Sequence, residues 1–189
     1  MDLNSLPQLQ AAIKGCNKCH LRELGGKPVP GYGPRHAILF VVGEAPNRQA
    51  EAQNMPFVGW TGRVLTCWLE YLGLKRDKVY ITDTVKCALR DNEGHFQTDG
   101  YGPSGEQWIC RDWLVEELRL IKPEVVLLIG WVATESVLRM PIYKVQEHKT
   151  GYEAEGRRYF AAGHPGRRTE LLDEHTKVTL ERLRPFLTV

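Results

Sequence analysis

Four cysteines have the spacing of a metal or cluster site. Cys16 and Cys19 form a C-N-K-C motif, and Cys87 and Cys110 follow later in the chain. A CxxC spacing lets two thiolates bind one metal ion or one cluster edge, and two further cysteines complete a four-thiolate set. Spacing alone leaves zinc, an iron–sulfur cluster and plain buried thiols open. Cys67 falls within an apolar helical pattern, which favours a buried thiol there.

A carboxylate and an imidazole occur where apolar strands would end. The run VYITDTVKC (79–87) alternates like a buried strand and reaches Asp83 at its end, and RYFAAGHP (158–165) ends similarly at His164. Polar side chains at strand ends project into the cleft beyond a sheet. An aspartate that caps a turn explains Asp83 equally well from the local sequence alone.

Two arginine pairs flank His164 in the sequence, Arg157-Arg158 before it and Arg167-Arg168 after it. This arrangement predicts positive charge near one loop, which is consistent with phosphate contacts. A solvated basic turn is the alternative for either pair, because exposed arginines are common on protein surfaces.

The elements that must position these residues alternate between strands and helices. Strand patterns occur at 38–46, 79–85, 124–130 and 158–165, and helical patterns at 62–74, 108–121 and 171–187. Such alternation predicts a mostly parallel sheet, with functional loops at the carboxyl ends of its strands. GEAP (43–46), Asp83, Gly130 and His164 all fall at such ends. We predict one α/β domain over residues 1–189, a three-layer αβα sandwich.

Composition sets the class of protein. A chain of 189 residues with 42% hydrophobic content suits one globular domain, and the net charge of +2 permits a polyanionic partner without requiring one. We find no pattern of a signal peptide or membrane span, so we expect a cytoplasmic, monomeric protein with no membrane partner. Cysteines in such a protein favour metal binding or burial over disulfides.

The glycine-rich segment 91–107 predicts either a functional loop or a mobile insertion.

The order of the short motifs resembles one enzyme family. CxxC, GEAP, PFVGWTG, VYITDTVKC, a fourth cysteine, EVVLLIG and GHP follow one another as in the iron–sulfur uracil-DNA glycosylases, family 4 of the uracil-DNA glycosylase superfamily. The resemblance covers nearly the whole chain. It implies a [4Fe-4S] cluster on the four cysteines, with zinc less favoured, and single- or double-stranded DNA as the partner. It also implies that a flipped pyrimidine loses its N-glycosidic bond, leaving an abasic site.

The resemblance assigns roles to individual residues. His164 matches the histidine that donates to O2 of the departing base, and Phe57 matches the ring that stacks on that base, although a core position would also explain Phe57. The backbone of Gly43 and Glu44 would line the sugar and water side. Ala45 stands where another glycosylase family has a water-activating aspartate, so Glu44 is the nearest candidate to position water.

Three positions depart from the family pattern. Asp83 replaces the asparagine whose amide pairs with uracil, and an ionised carboxylate can only accept hydrogen bonds, which favours the N4 amino group of cytosine. Asn47 replaces a glycine. Ala50 replaces a glutamate near C5 of the base, which would admit a C5 substituent.

The loop 166–172 follows the GHP motif, where the superfamily has the loop that inserts into DNA. The resemblance therefore implies that Arg167 or Arg168 inserts into the duplex.

These observations leave three functions. The preferred one is a DNA glycosylase for a pyrimidine with the hydrogen-bonding edge of cytosine, including C5-modified bases such as the hydroxymethylated or glucosylated cytosine of viral DNA. The sequence leaves both DNA repair and antiviral defence open as its biological setting. The second is a conventional uracil-DNA glycosylase of base-excision repair. The third is a non-catalytic nucleic-acid-binding relative.

Overall fold

A central sheet organises the part of the chain that the computed structural model describes, residues 3–97, 105–167 and 170–187. The strands are β1 (Leu39–Gly43), β2 (Val79–Asp83), β3 (Val125–Ile129), β4 (Tyr152–Ala154) and β5 (Arg157–Ala162). Their order in the sheet is β2-β1-β3-β5-β4, in which the first four strands are parallel and β4 runs antiparallel to β5. The predicted, mostly parallel sheet is confirmed.

Helices cover both faces of this sheet. They are α1 (Leu6–Lys14), α2 (His20–Glu23), α3 (Arg48–Gln53), α4 (Trp60–Tyr71), α5 (Glu106–Ile121), α6 (Trp131–Leu138), α7 (Ile142–Glu147) and α8 (Glu174–Leu183). The sequence predicted α4, α5, α8 and the four parallel strands with slightly different bounds. It missed β4 and the other helices, which have three to nine residues and therefore show too few turns or alternations for a clear periodicity.

Alternate residues of the strands build two cores. On one face, side chains such as Val41 and Leu127 pack with α4 and α8. On the other, side chains such as Val42 and Leu128 pack with α5, α6 and α7. Because parallel strands are covered on both faces, they consist of continuous apolar runs. The three-layer αβα prediction is confirmed, and none of the described helices is long and apolar enough to cross a membrane.

The carboxyl edge of the sheet collects the polar strand ends. Gly43 and Asp83 are register partners at the ends of β1 and β2, and His164 follows β5. The predicted clustering of Arg157 and Arg158 near His164 is wrong, because both arginines begin β5 and His164 lies beyond its other end. There Arg157 pairs with Glu155 and Arg158 with Glu153.

Candidate active site

Asp83 and Phe57 meet over Gly43. A Cβ atom on Gly43 would lie 2.3 Å from Oδ1 of Asp83 and 2.6 Å from the ring of Phe57, so only glycine fits there. Phe57 has a φ of 53°, and Arg76 holds this left-handed turn by donating to the Phe57 carbonyl oxygen at 2.9 Å. Both side chains are buried, with Asp83 4% and Phe57 6% exposed. Phe57 therefore belongs to the core and also adjoins the carboxylate.

Burial controls the charge of Asp83. Loss of solvent raises the pKa of this carboxyl group from 3.8 to about 7, and the nearby charges of Glu117 and Glu44 act in the same direction. The ammonium group of Lys86 acts in the opposite direction but is outweighed. Asp83 is therefore divided between its neutral and ionised forms near neutral pH.

A buried ion pair lies directly behind Asp83. Lys86 is 1% and Glu117 0% exposed. The Lys86 ammonium uses its three protons on Glu117 Oε2 at 2.8 Å, the Thr82 hydroxyl at 2.7 Å and the Asp83 carbonyl oxygen at 2.6 Å. Sequence reasoning missed this pair, although a lysine in an apolar strand run and a glutamate on an apolar helix face were visible signals.

The carboxylate of Glu117 is fully hydrogen-bonded. Its Oε1 accepts from the Gly31 N–H at 2.9 Å and the Tyr80 hydroxyl at 3.2 Å, and its Oε2 accepts from the Thr82 hydroxyl at 2.8 Å. A buried charge is tolerated when paired and hydrogen-bonded in this way. The network thus fixes helix α5 to the end of β2, where Asp83 lies.

His164 faces a cavity of about 230 Å³, which we call the site cavity. Its lining includes Glu44, Ala45, Pro46, Asn47, Arg48, Thr61, Ala88, Leu89, Phe96, Gln97, His164 and Gly166. The Gly166 N–H donates to Nδ1 of His164 at 3.1 Å. In the neutral ring the proton must therefore be on Nε2, which makes Nε2–H a hydrogen-bond donor.

The GEAP loop is joined to the end of β2. The Glu44 carbonyl oxygen accepts from the Val85 N–H at 2.9 Å and the Thr84 hydroxyl at 2.7 Å, while the Thr84 N–H donates to the Gly43 carbonyl oxygen at 3.0 Å. These bonds hold the loop against β2. Glu44 lines the site cavity and is near enough to Asp83 for its charge to raise the pKa of that carboxyl group.

Asn47 and Ala50 organise the start of helix α3. Oδ1 of Asn47 accepts from the Ala50 N–H at 2.8 Å, and its Nδ2 donates to the Val58 carbonyl oxygen at 3.1 Å. Asn47 thus caps α3, ties it to the loop after Phe57 and lines the site cavity. Ala50 is 1% exposed and is not among the residues that line this cavity.

The four predicted cysteine ligands lie in one region. Cys87 and Cys110 are buried together with Cys19 packed beside them, and Trp113 Nε1 donates to Sγ of Cys16 at 3.3 Å. Burial raises the pKa of the Cys87 thiol to about 12 and that of the Cys110 thiol to about 11. Thiolates at these positions need a positive charge to offset the lost hydration.

The distances between the cysteine sulfur atoms help to distinguish a single metal ion from a multi-iron cluster. In the described part of the chain, no three cysteine sulfurs lie within 4.8 Å of one another. Thiolates on one zinc ion, each about 2.3 Å from it, lie within about 4.6 Å of one another. A multi-iron cluster has room for sulfur atoms that lie farther apart than this.

Cys67, expected to be buried, is instead half-buried on α4.

Comparison with known proteins identifies the family. A model of the family described as the uracil DNA glycosylase superfamily matches residues 30–184. The chain belongs to this superfamily. It is 34% identical over 139 residues to the type-4 uracil-DNA glycosylase of Archaeoglobus fulgidus, covering 73% of this chain and 66% of the relative. It is 31% identical over 179 residues to the type-5 uracil-DNA glycosylase of Pyrobaculum aerophilum, covering 85% and 75%.

The predicted membership of the uracil DNA glycosylase superfamily is thus confirmed. The type-4 uracil-DNA glycosylase of Pyrobaculum aerophilum is also similar, at 32% identity over 141 residues, or 74% of this chain and 66% of the relative. This chain therefore spans just under two thirds of the length of these two type-4 relatives.

The structure gathers most of the residues to which the superfamily resemblance assigns roles. Gly43, Phe57 and Asp83 lie together, and Glu44, the neighbour of Gly43, lines the site cavity that His164 faces. Gly43, Phe57 and Asp83 are not among the residues that line this cavity, and Phe57 lines a separate pocket. Arg167 ends a short 3-10 turn after His164, whereas its side chain and all of Arg168 lie outside the described residues. The roles themselves stay predictions.

Proposed function

We propose that this chain is a DNA glycosylase that binds a flipped-out pyrimidine and hydrolyses its N-glycosidic bond, leaving an abasic site. One observation carries the proposal. Asp83 and the Phe57 ring meet over a side-chain-free Gly43, and the next residue, Glu44, lines the cavity that His164 faces. This arrangement combines an edge-reading carboxyl group, a ring for stacking and a hydrogen-bond donor for the leaving group. Membership of the superfamily supports it.

His164 would stabilise the leaving base. Cleavage leaves negative charge on the pyrimidine, and the Nε2–H of His164 can donate to its O2 because the Gly166 N–H occupies Nδ1. One donor of this kind contributes about 3 kcal/mol to transition-state stabilisation. Glu44, which lines the same cavity, is our candidate for positioning the attacking water.

Asp83 would select a cytosine-type edge. Cytosine presents an N4 amino donor and an N3 acceptor, so a carboxyl group pairs with it through one shared proton, held by either Asp83 or N3. A carboxyl pKa of about 7 makes this sharing accessible near neutral pH. An ionised Asp83 would face O4 of uracil with a lone pair, a mismatch that costs about 1–3 kcal/mol when buried.

A substituent at C5 is the second part of the substrate proposal. It rests on the sequence alone, in which Ala50 stands where the family has a larger glutamate, because Ala50 is buried and is not among the residues that line the site cavity. The proposed bases include the hydroxymethylated and glucosylated cytosines of viral DNA. Such a substrate would fit a role in defence against viral DNA, whereas repair remains the alternative setting. The names of the type-4 relatives favour the second candidate, a conventional uracil-DNA glycosylase of base-excision repair.

The cysteines fit a [4Fe-4S] cluster. Cys16, Cys19, Cys87 and Cys110 supply four sulfur donors, two of them buried, and among the described residues no three of these sulfurs lie within 4.8 Å of one another. Such a cluster would tie the chain before β1 to the segment after β2 and to helix α5. We assign it a structural role.

An excision assay tests the proposal. The protein is incubated with matched oligonucleotides, single- and double-stranded, that carry one uracil, cytosine, 5-hydroxymethylcytosine or its glucosylated form, and abasic sites are revealed by alkali. We expect cleavage at one or more of the cytosine derivatives and little at uracil. Efficient cleavage at uracil alone would establish the repair function instead. Binding without cleavage of any base would identify a non-catalytic relative.

A further inference from the structure

A hairpin within the long segment between Cys87 and Cys110 places an aromatic ring in the wall of the site cavity. Phe96 pairs with Arg90 in an antiparallel bridge, and Oδ1 of Asp91 closes the turn by accepting from the His95 N–H at 2.9 Å. The ring of Phe96 then lines the cavity that His164 faces. This part of the segment therefore contributes to the wall of the site cavity.

Two guanidinium groups pack on the Phe96 ring. Arg90 lies 4.0 Å and Arg48 5.7 Å from the ring centroid, both within the range of cation–π contacts. Arg90 is half-buried, with its side chain 9% exposed, and forms an ion pair with Glu51 at 2.5 Å. Its charge is therefore balanced inside the protein.

Arg48 differs from Arg90 in its partners. It is exposed, lines the site cavity and forms no ion pair with any acid among the described residues. Its positive charge is therefore available at the mouth of the cavity. Packing on the Phe96 ring restricts the long side chain beforehand, so less entropy is lost when the guanidinium binds a ligand.

We propose that Arg48, positioned by Phe96, binds a backbone phosphate of the flipped nucleotide. When the base of a flipped nucleotide enters the site, its phosphates remain at the cavity mouth, where Arg48 lies. A planar guanidinium can bind phosphate oxygens through two parallel hydrogen bonds. This contact goes beyond the proposed function, because it applies to any flipped pyrimidine.

Binding of DNA that contains no target base tests the contact. Fluorescence anisotropy measures the affinity for a duplex with a tetrahydrofuran abasic-site analogue at several NaCl concentrations. Arg48→Gln should weaken binding about tenfold at low salt and lower the slope of log affinity against log salt by about 0.9, the value for one phosphate. Phe96→Leu, which keeps the charge of Arg48, should weaken binding by about threefold and retain the slope.

Arg139 provides a matched control. It is also exposed and packs 4.9 Å from the centroid of an aromatic ring, that of Trp108, but it lies at the end of α6 and does not line the site cavity. Arg139→Gln should leave affinity and slope unchanged. The proposal is overturned if Arg48→Gln binds like the wild type, or if Arg139→Gln causes an equal loss.

The outcome is independent of which base the protein excises, because this ligand carries no base at the target site. A protein that cleaves none of the oligonucleotides in the excision assay could still show the Arg48 effect. Conversely, an active glycosylase could lack it. The two proposals can therefore fail separately.

Discussion

Gly43 and Asp83 lie opposite each other at the ends of two paired parallel strands, and the Asp83 carboxylate fills the space that a side chain on Gly43 would need. The absence of a Cβ atom at Gly43 lets the carboxylate and the Phe57 ring pack together. Asp83 consequently loses nearly all contact with water, which raises its pKa to about 7. The packing of a glycine thus determines the charge of the residue proposed to read the base.

Exchanging Asp83 for asparagine should invert the base preference. Asp83→Asn offers an NH₂ donor to O4 and an acceptor to N3–H, which is the pattern of uracil. We expect uracil excision to rise and excision of cytosine derivatives to fall, each by tenfold or more, because mismatched polar groups would be buried unpaired. Single-turnover excision of both bases measures the ratio. Asp77→Asn, at an exposed position, should keep the wild-type ratio.

The pH dependence of kcat/KM should reveal the proton that Asp83 shares with N3 of cytosine. The protonated form of Asp83 is the form that completes both hydrogen bonds to neutral cytosine, so kcat/KM should be maintained below a pH of about 7 and fall above it. The decline should approach tenfold per pH unit. Asp83→Asn has no such proton to lose, so its profile on uracil should lack this alkaline decline. If the decline persists in this variant, a group other than Asp83 causes it.

Removing the imidazole of His164 should affect the chemical step. His164→Ala should lower single-turnover excision about 10²–10³-fold, the usual effect of losing one oxyanion donor. Affinity for DNA should change little, since the base contact strengthens only as the bond breaks. Unchanged excision would place the leaving-group donor elsewhere.

The cluster can be tested by substitution of single cysteines. Protein purified without oxygen should be brown, absorb near about 400 nm and contain about four iron atoms per chain. Cys87→Ser should lose most of this absorbance and iron. Cys67→Ser, which changes the half-buried thiol on α4, should retain both. Colourless protein with one zinc per chain would contradict the iron–sulfur assignment.

Breaking the buried ion pair should destabilise the fold. Lys86→Met leaves Glu117 charged and buried, which should lower the free energy of unfolding by about 3–5 kcal/mol. Chemical denaturation monitored by circular dichroism measures this change. Lys78→Met, at an exposed position, should cost less than about 0.5 kcal/mol. A small effect for Lys86→Met would mean that the site relaxes or admits water.

Much of the architecture and the family could be predicted from the sequence. The continuous apolar runs of the parallel strands and the long amphipathic helices have strong periodicities, and strand ends mark the functional edge of a parallel sheet. Asp83 and His164 were therefore found from their positions after apolar runs. Short helices such as α3 and α7 have too few turns to show a pattern.

Only the tertiary structure decided which polar residues meet. Lys86 and Glu117 are 31 positions apart, and Arg48 at the start of α3 packs on Phe96, which pairs with Arg90 in the hairpin. Such pairs cannot be predicted from local sequence, because their contacts depend on how β2, α5 and the hairpin pack. The raised pKa of Asp83 also depends on tertiary packing. It follows from burial against Gly43 and Phe57, which no single stretch of sequence contains.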